Sequence, residues 1–478
     1  MDDNQDMSPQ GGPEDFLEQL LSGFLGAQGA KDAADAMRSH GFDMSALGSF
    51  ASPGAMAQAM GQFRHLMKST DGPVNWSMVR DISRQMAYQA GDPRLSAAQG
   101  ARARQALAVA DLWLDPITDL NVKGGRREAW TRSQWVENTL PAWKNIFNPV
   151  AENVSRAMSE VLEDQAASEY GLPEEMGNLL GGLQQMIPKM SAMSFGTQIG
   201  QALAGMAKES FGTSDSGFPL TEPGISALVP TNIEAFADGL DESYEVVEQY
   251  IAVREMAHVR LFASVPWLRH DLELAITRYA REIALDTDAL TDAARSFDPG
   301  NPESLNQMMS GGIFAAEPSE SQQKALDRLE TLLSLIEGWV ETVTTDAVVP
   351  YLPGSDRLRE MLRRRRVTGS SAEAALGDLV GLRLRPRMAR AAARIFRDLE
   401  IDGGPDARDA LWRHPDTVPT FEDLENPEQY GSRSAAEEDT EDFDREIQKL
   451  LDGTLGWDES VPKDQRGTPP EGPEDQQD

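Results

Sequence analysis

Apolar residues spaced three and four apart recur through most of the chain between Asn75 and Phe421. VNWSMVRDISRQMAYQ, RQALAVADLWLDPI, WKNIFNPVAENVSRAMSEVLED and PEEMGNLLGGLQQMI all carry this spacing, which predicts helices with one apolar face. Period-two alternation of β-branched residues is scarce, and only short pieces such as GISALVP suit a strand. The expected fold class is therefore mainly α. Within FGTQIGQALAGMA, Gly196, Gly200 and Ala204 stand four apart and give a smooth face for close helix packing. No Walker or dinucleotide fingerprint accompanies these glycines, so phosphate cradling is the weaker reading.

The pattern changes at both ends. Residues 1–15 are polar and rich in Gly, Pro, Asp and Gln, and are expected to be disordered. Residues 16–70 hold short Met-, Ala- and Gly-rich helical pieces, read as a small N-terminal segment ahead of a helical domain over 75–421. Residues 422–478 read as a disordered acidic tail. From Phe421 onward there are 19 acidic and 5 basic side chains, with FDREIQKLLDGTLGW as an island of helical spacing.

Charge and cysteine usage narrow the function. The 478 residues carry a formal net charge of −34, which repels phosphate on average and makes a nucleic-acid partner unlikely. There are no cysteines, so disulfides, thiolate metal clusters and cysteine nucleophiles are excluded together. The chain opens without a basic start and apolar run, so no secretory signal is expected. Its least polar stretch, Met190 to Met206, is interrupted by Thr197, Gln198 and Gln201 and falls short of the roughly 18–20 apolar residues of a membrane span. A soluble protein with no membrane partner, located in the cytoplasm, is the expectation.

The segment ESYEVVEQYIAVREMAHVRLFASVPW is where chemistry concentrates. Val247, Ile251, Leu261, Phe262 and Val265 define one helical stripe, and Pro266 is expected to end the helix. Arg254 and His258 fall on that stripe, with Glu255 on its flank. Charged groups facing a core need partners, because burying them unpaired is costly.

REMAHVRLF aligns with the HExxH helix of zinc peptidases, with Arg254 in the place of the first histidine. Together with FGTQIGQALAGMA, ALVPTNIEAFADGL, REMAHVRLFASVPWLRHDL, LIEGWVETV, GLRLRPRMARAA and DALWRHPDTVPT, it makes residues 75–420 resemble an actinobacterial zincin-like metallopeptidase family whose members are described as hydrolases. The resemblance implies a multi-helix zincin-like domain and zinc-dependent hydrolysis of peptide bonds. It implies Glu255 as the general base on a zinc-bound water and His258 as a zinc ligand. Glu337 of LIEGWVETV is the implied second-helix ligand, beside a Gly338 that lets helices approach closely.

Arg254 departs from that pattern, since a guanidinium stays protonated and has no lone pair for a metal. Three readings of the site stay open. Arg254 replaces the metal's charge by pairing with Glu337 or Glu255, leaving a catalytically inactive scaffold that binds a peptide or protein in its groove. Alternatively, zinc is held by unusual ligands, with His270 as a possible accessory. In the third reading, Glu255 acts as a general base in different chemistry.

Residues 357–397 carry twelve arginines, Arg363 to Arg366 in succession, against Glu360, Glu373 and Asp378, a local surplus of +9. Pairing with core carboxylates or with the acidic tail is preferred there over a phosphate or nucleic-acid contact. Trp130, Trp135 and Trp143 are assigned to core packing, His414 to a turn before Pro415, and His40 and His65 to no site.

Overall fold

The computed structural model describes residues 72–122, 124–168, 174–240, 242–283, 318–368, 377 and 386–430. The expectations for residues 1–71 and for 431 onward, including the acidic tail, lie outside these. The described chain is mainly helical: α1 (Trp76–Gln89), α2 (Ala97–Leu114), α3 (Arg132–Ser168), α4 (Glu174–Glu209), α5 (Pro230–Ala237), α6 (Tyr244–Ser264), α7 (Pro266–Arg281), α8 (Glu320–Val348), α9 (Ser355–Thr368), α10 (Ala389–Ala410) and α11 (Phe421–Glu425). Two short strands, β1 (Arg126–Ala129) and β2 (Ile225–Leu228), pair in parallel with Arg126 opposite Ile225. The GISALVP segment is β2; its partner RREA carries no alternation that would have announced it. Among the described residues no helix is long and apolar enough to cross a membrane.

Helices α6 and α8 form the centre. From Thr331 to Thr344 every residue of α8 is buried, and from Tyr250 to Phe262 every residue of α6 is buried except Arg254, which is nearly so. Each is thus surrounded by other elements: α8 packs on α6, α7 and α10, and α6 on α2 and α8. Such a helix is apolar on more than one face, so the single stripe read from the sequence was too narrow. Gly338 permits close approach, and the neighbour is α10. A Cβ there would lie 2.6 Å from both Ala392 Cβ and Ala393 N. Gly196 and Gly200 do the same for α1 against α4, where added Cβ atoms would meet Asn75 O at 3.0 Å and Ile82 Cβ at 3.1 Å.

Local signals fix several boundaries. The chain turns at Val265, and Pro266 opens α7 at its first position, where its missing N–H costs nothing. Thr420 caps α11 through a reciprocal arrangement with Asp423, and Leu424 is buried. The packed body therefore runs on to Tyr430, past the boundary expected at 421. Trp130, Trp135 and Trp143 lie in the core. His414 is exposed and closes a turn, its ring Nδ1 accepting from Asp416 N at 3.3 Å.

Between α4 and β2 the chain makes a tight loop over α6. Val229 N donates to Phe211 O at 2.8 Å, and Gly212 bridges Leu228 in the antiparallel sense. Asn232 donates to the carbonyls of Ala207 (2.9 Å) and Ser210 (2.6 Å), closing the end of α4, while Arg132 Nε donates to Asn232 Oδ1 at 2.8 Å. Residues 211–215 are thereby pinned above Glu255.

Candidate functional site

Arg254, Glu255 and His258 sit within two turns of α6, and Glu337 faces them from α8. Arg254 Nη2 lies 2.5 Å from Glu337 Oε1. On the other carboxylate oxygen, Oε2, two groups converge: His258 Nε2 at 3.9 Å and Arg366 Nε of α9 at 3.6 Å. Burial alone would raise the Glu337 pKa. The cations of Arg254 and Arg366, with His258 beside them, outweigh it and hold the carboxyl near about 2. The same carboxylate raises the pKa of Arg254 against the opposing effect of burial.

His258 Nδ1 is 2.9 Å from the Arg254 carbonyl oxygen. A carbonyl oxygen only accepts, so Nδ1 carries the hydrogen and Nε2 presents its lone pair. That lone pair has no hydrogen-bond partner, and neither does Glu337 Oε2, the oxygen opposite it. Burial, reinforced by the cations of Arg254 and Arg366, pushes the imidazole down to about 4, so the ring is neutral at neutral pH. Two buried acceptors thus face each other.

Glu255 is held differently. Its Oε1 accepts from Thr213 N at 2.9 Å and from Thr213 Oγ1, and its Oε2 accepts from Ser214 N at 3.2 Å. Burial outweighs these three donors and pushes the carboxyl up to about 7. Only glycine fits at 212, because a Cβ would come within 2.5 Å of Glu255 Oε2. Trp135 Nε1 fixes that glycine by donating to its carbonyl at 2.9 Å. The space enclosed by Gly212, Asp215, Arg254, Glu255, His258 and Leu362 amounts to about 20 Å³, room for a single water.

The residues present do not fit a catalytic zinc. Such a centre takes three protein ligands and keeps a position open. Here the acceptors without a hydrogen bond are His258 Nε2 and Glu337 Oε2, the latter already ion-paired with Arg366, and the next side chain is a guanidinium that cannot ligate. Glu255 is engaged by the 211–215 loop. His270 is exposed on α7 and does not line the space around Glu255 and His258. Among the described residues no group of three His, Asp or Glu is placed to hold a metal ion.

The sequence singled out Arg254, Glu255, His258 and Glu337, and the structure brings these together. It missed the loop that cradles Glu255. Thr213, Ser214 and Asp215 lie some forty positions before Glu255, in a polar loop that resembles any other. Arg365 and Arg366 reach the site from α9 and pair with Asp215 and Glu337, in keeping with the carboxylate pairing expected of the arginine run.

The family model described as zincin-like metallopeptidase matches residues 74–430. No curated protein matches the chain. A crystal structure of a "putative hydrolase with a novel fold" from Chloroflexus aurantiacus superposes with a TM-score of 0.53 at 18% identity, covering 76% of this chain and 99% of that one. At that identity the likeness is one of fold, and it extends over the whole of the smaller protein. With three quarters of its length inside the family model, the chain belongs to the zincin-like metallopeptidase family.

Proposed function

We propose that this protein is a metal-independent, non-catalytic member of its family, a scaffold that binds a peptide or protein. The observation that carries this reading is the 2.5 Å contact of Arg254 with Glu337, at the position where the resemblance puts the first histidine ligand. The guanidinium supplies fixed positive charge where the family's pattern calls for a metal, and Arg366 adds a second. The two together match the charge of a divalent cation. Glu255, the residue that would activate water, instead receives hydrogen bonds from Thr213 and Ser214.

The hydrolase reading keeps one observation in its favour, the facing acceptors His258 Nε2 and Glu337 Oε2. Metal content per chain separates the two, measured on protein purified without chelators or tag histidines and again after incubation with excess zinc. The expected result is no stoichiometric metal and no cleavage of a peptide library. Close to one zinc per chain, lost in Glu337→Ala, would overturn the scaffold reading.

A further inference from the structure

Helix α9 is attached to the body in an unusual way. Among its residues whose side chains are described, Ser355, Leu358 and Leu362 are buried, and most of the rest are charged. What holds it down is a series of arginine contacts. Arg363 forks onto Glu341. Arg365 donates to Asp215 Oδ2 at 3.2 Å and to the Glu209 carbonyl at 2.5 Å, with its guanidinium 4.0 Å from the centre of the Phe211 ring. Arg366 donates to the Asp215 carbonyl at 2.5 Å and faces Glu337.

These acceptors for Arg365 and Arg366 belong to other parts of the chain: the end of α4, the loop after it, and α8. Two carboxylates, two carbonyls and one aromatic face are arranged for two neighbouring guanidiniums, whose planar donors suit such a set. Beside them, the nearly fully buried His258 Nε2 points into the same pocket without a partner. The turn into α9 passes through Gly354 at φ +86°, with nothing within 4 Å of where a Cβ would stand. α9 therefore has little apolar area to lose if it lifts, and its ion pairs are exchangeable for others of the same kind.

We propose that Phe211, Asp215, Glu337 and the Glu209 and Asp215 carbonyls form a recognition site for two adjacent arginines, filled in cis by α9 and open in trans to a peptide carrying an arginine pair. This rests on the reading of the site as a binding pocket and names its partner class. The chain's net charge of −34 favours the approach of such a peptide.

The probe is a fluorescent synthetic copy of residues 355–368, added to the full chain. In the unaltered protein α9 competes at the high effective concentration of a tethered ligand, on the order of millimolar, and binding of the copy is weak. Replacing Arg365 and Arg366 with alanine in the protein is expected to tighten it at least about tenfold, since the tethered competitor is then gone. Adding Asp215→Asn should abolish the gain, as should a copy lacking both arginines. Equal binding to the unaltered and doubly substituted chains, or indifference to Asp215→Asn, would overturn the proposal.

If the double variant does not fold, Leu362→Cys in the otherwise cysteine-free chain reports the same event. Saturating copy peptide should speed modification of this buried thiol several-fold, and no acceleration would overturn the proposal. These readouts involve no metal. A zinc-loaded chain that still binds the peptide refutes the scaffold reading alone, and a metal-free chain that ignores the peptide refutes the arginine site alone.

Discussion

Arg254 and Arg260 lie six residues apart on α6 and are both largely removed from solvent, yet their surroundings differ. Arg260 Nε donates to Asp111 Oδ1 at 2.8 Å, and Nη2 reaches the Asp111 carbonyl at 2.7 Å and Asp115 Oδ1 at 2.5 Å. All these partners belong to the last turn of α2 and its exit, so Arg260 staples that end to the core. Arg408, fully buried, clamps the same stretch through the Ile117 carbonyl at 2.6 Å. Around Arg254, by contrast, His258 Nε2 and Glu337 Oε2 remain without hydrogen bonds. A buried charge that serves architecture is surrounded until its donors are used. One that borders unpartnered acceptors marks a pocket, because native cores leave few such atoms unexplained.

The sharpest test of this contrast is stability. Arg260→Ala removes a fully buried guanidinium that engages Asp111, its carbonyl and Asp115 at once, and the expected loss is roughly 3–5 kcal/mol even though Arg127 still pairs with Asp111. Arg254→Ala should cost less, about 2–3 kcal/mol, because Arg366 still faces Glu337 after the change. Urea unfolding midpoints at neutral pH measure both. Adding Glu337→Gln to Arg254→Ala should recover part of the loss, since the uncompensated buried charge is then gone. A larger loss at Arg254 than at Arg260 would mean that the pocket is the more architectural of the two.

A smaller effect separates the two carboxylates inside the pocket. The Glu255 carboxyl, pushed up to about 7, favours folding when protonated, so its contribution is complete below its unfolded pKa near 4.5 and fades as pH rises through 7. His258, held down at about 4, works the other way: stability is lost as pH falls below its unfolded pKa of about 6.5 toward 4. The Glu337 contribution, from a carboxyl near about 2, is lost only in acid below 4.5. The slopes of Glu255 and His258 oppose each other over their common range. Glu255→Gln removes one of them, and the unaltered chain should lose about 2 kcal/mol relative to that variant between pH 5 and pH 7. Parallel stability curves for the two proteins would show that Glu255 is ionised throughout.

Much of this was legible in the chain itself. The 3.6-residue spacing and Pro266 as a helix boundary are local signals, and they survive in the fold because each acts over a few residues. The grouping of Arg254, Glu255 and His258 was legible for the same reason, as one face of one helix. Glu337 was reached through family resemblance, because nothing local joins positions 83 residues apart. Strand β1 was not legible: RREA is held by its register with β2, across two intervening helices. Nor was the cradle of Glu255, since Thr213 and Ser214 act mainly through backbone N–H groups that every residue type possesses.

The arginine run shows how far a charge sum can mislead. Its surplus of +9 treats Arg364 and Arg365 as equivalent neighbours, whereas the helix turns them to opposite fates. Arg364 is three-quarters exposed and donates to Glu360, one turn earlier, at 2.8 Å. That orientation, Glu before Arg at i, i+4, is the favourable one, yet an exposed pair of this kind contributes only about 0.3–0.5 kcal/mol. Arg364→Ala should therefore shift the urea midpoint barely at all, and high salt should erase even that. Arg365→Ala removes contacts with Asp215, Glu209 and the Phe211 ring and should cost several times more, with less sensitivity to salt because those contacts are shielded. Equal losses from the two substitutions would reduce the run to undifferentiated surface charge. The distinction between a stapled core and an occupied pocket would then have to rest on Arg254 alone.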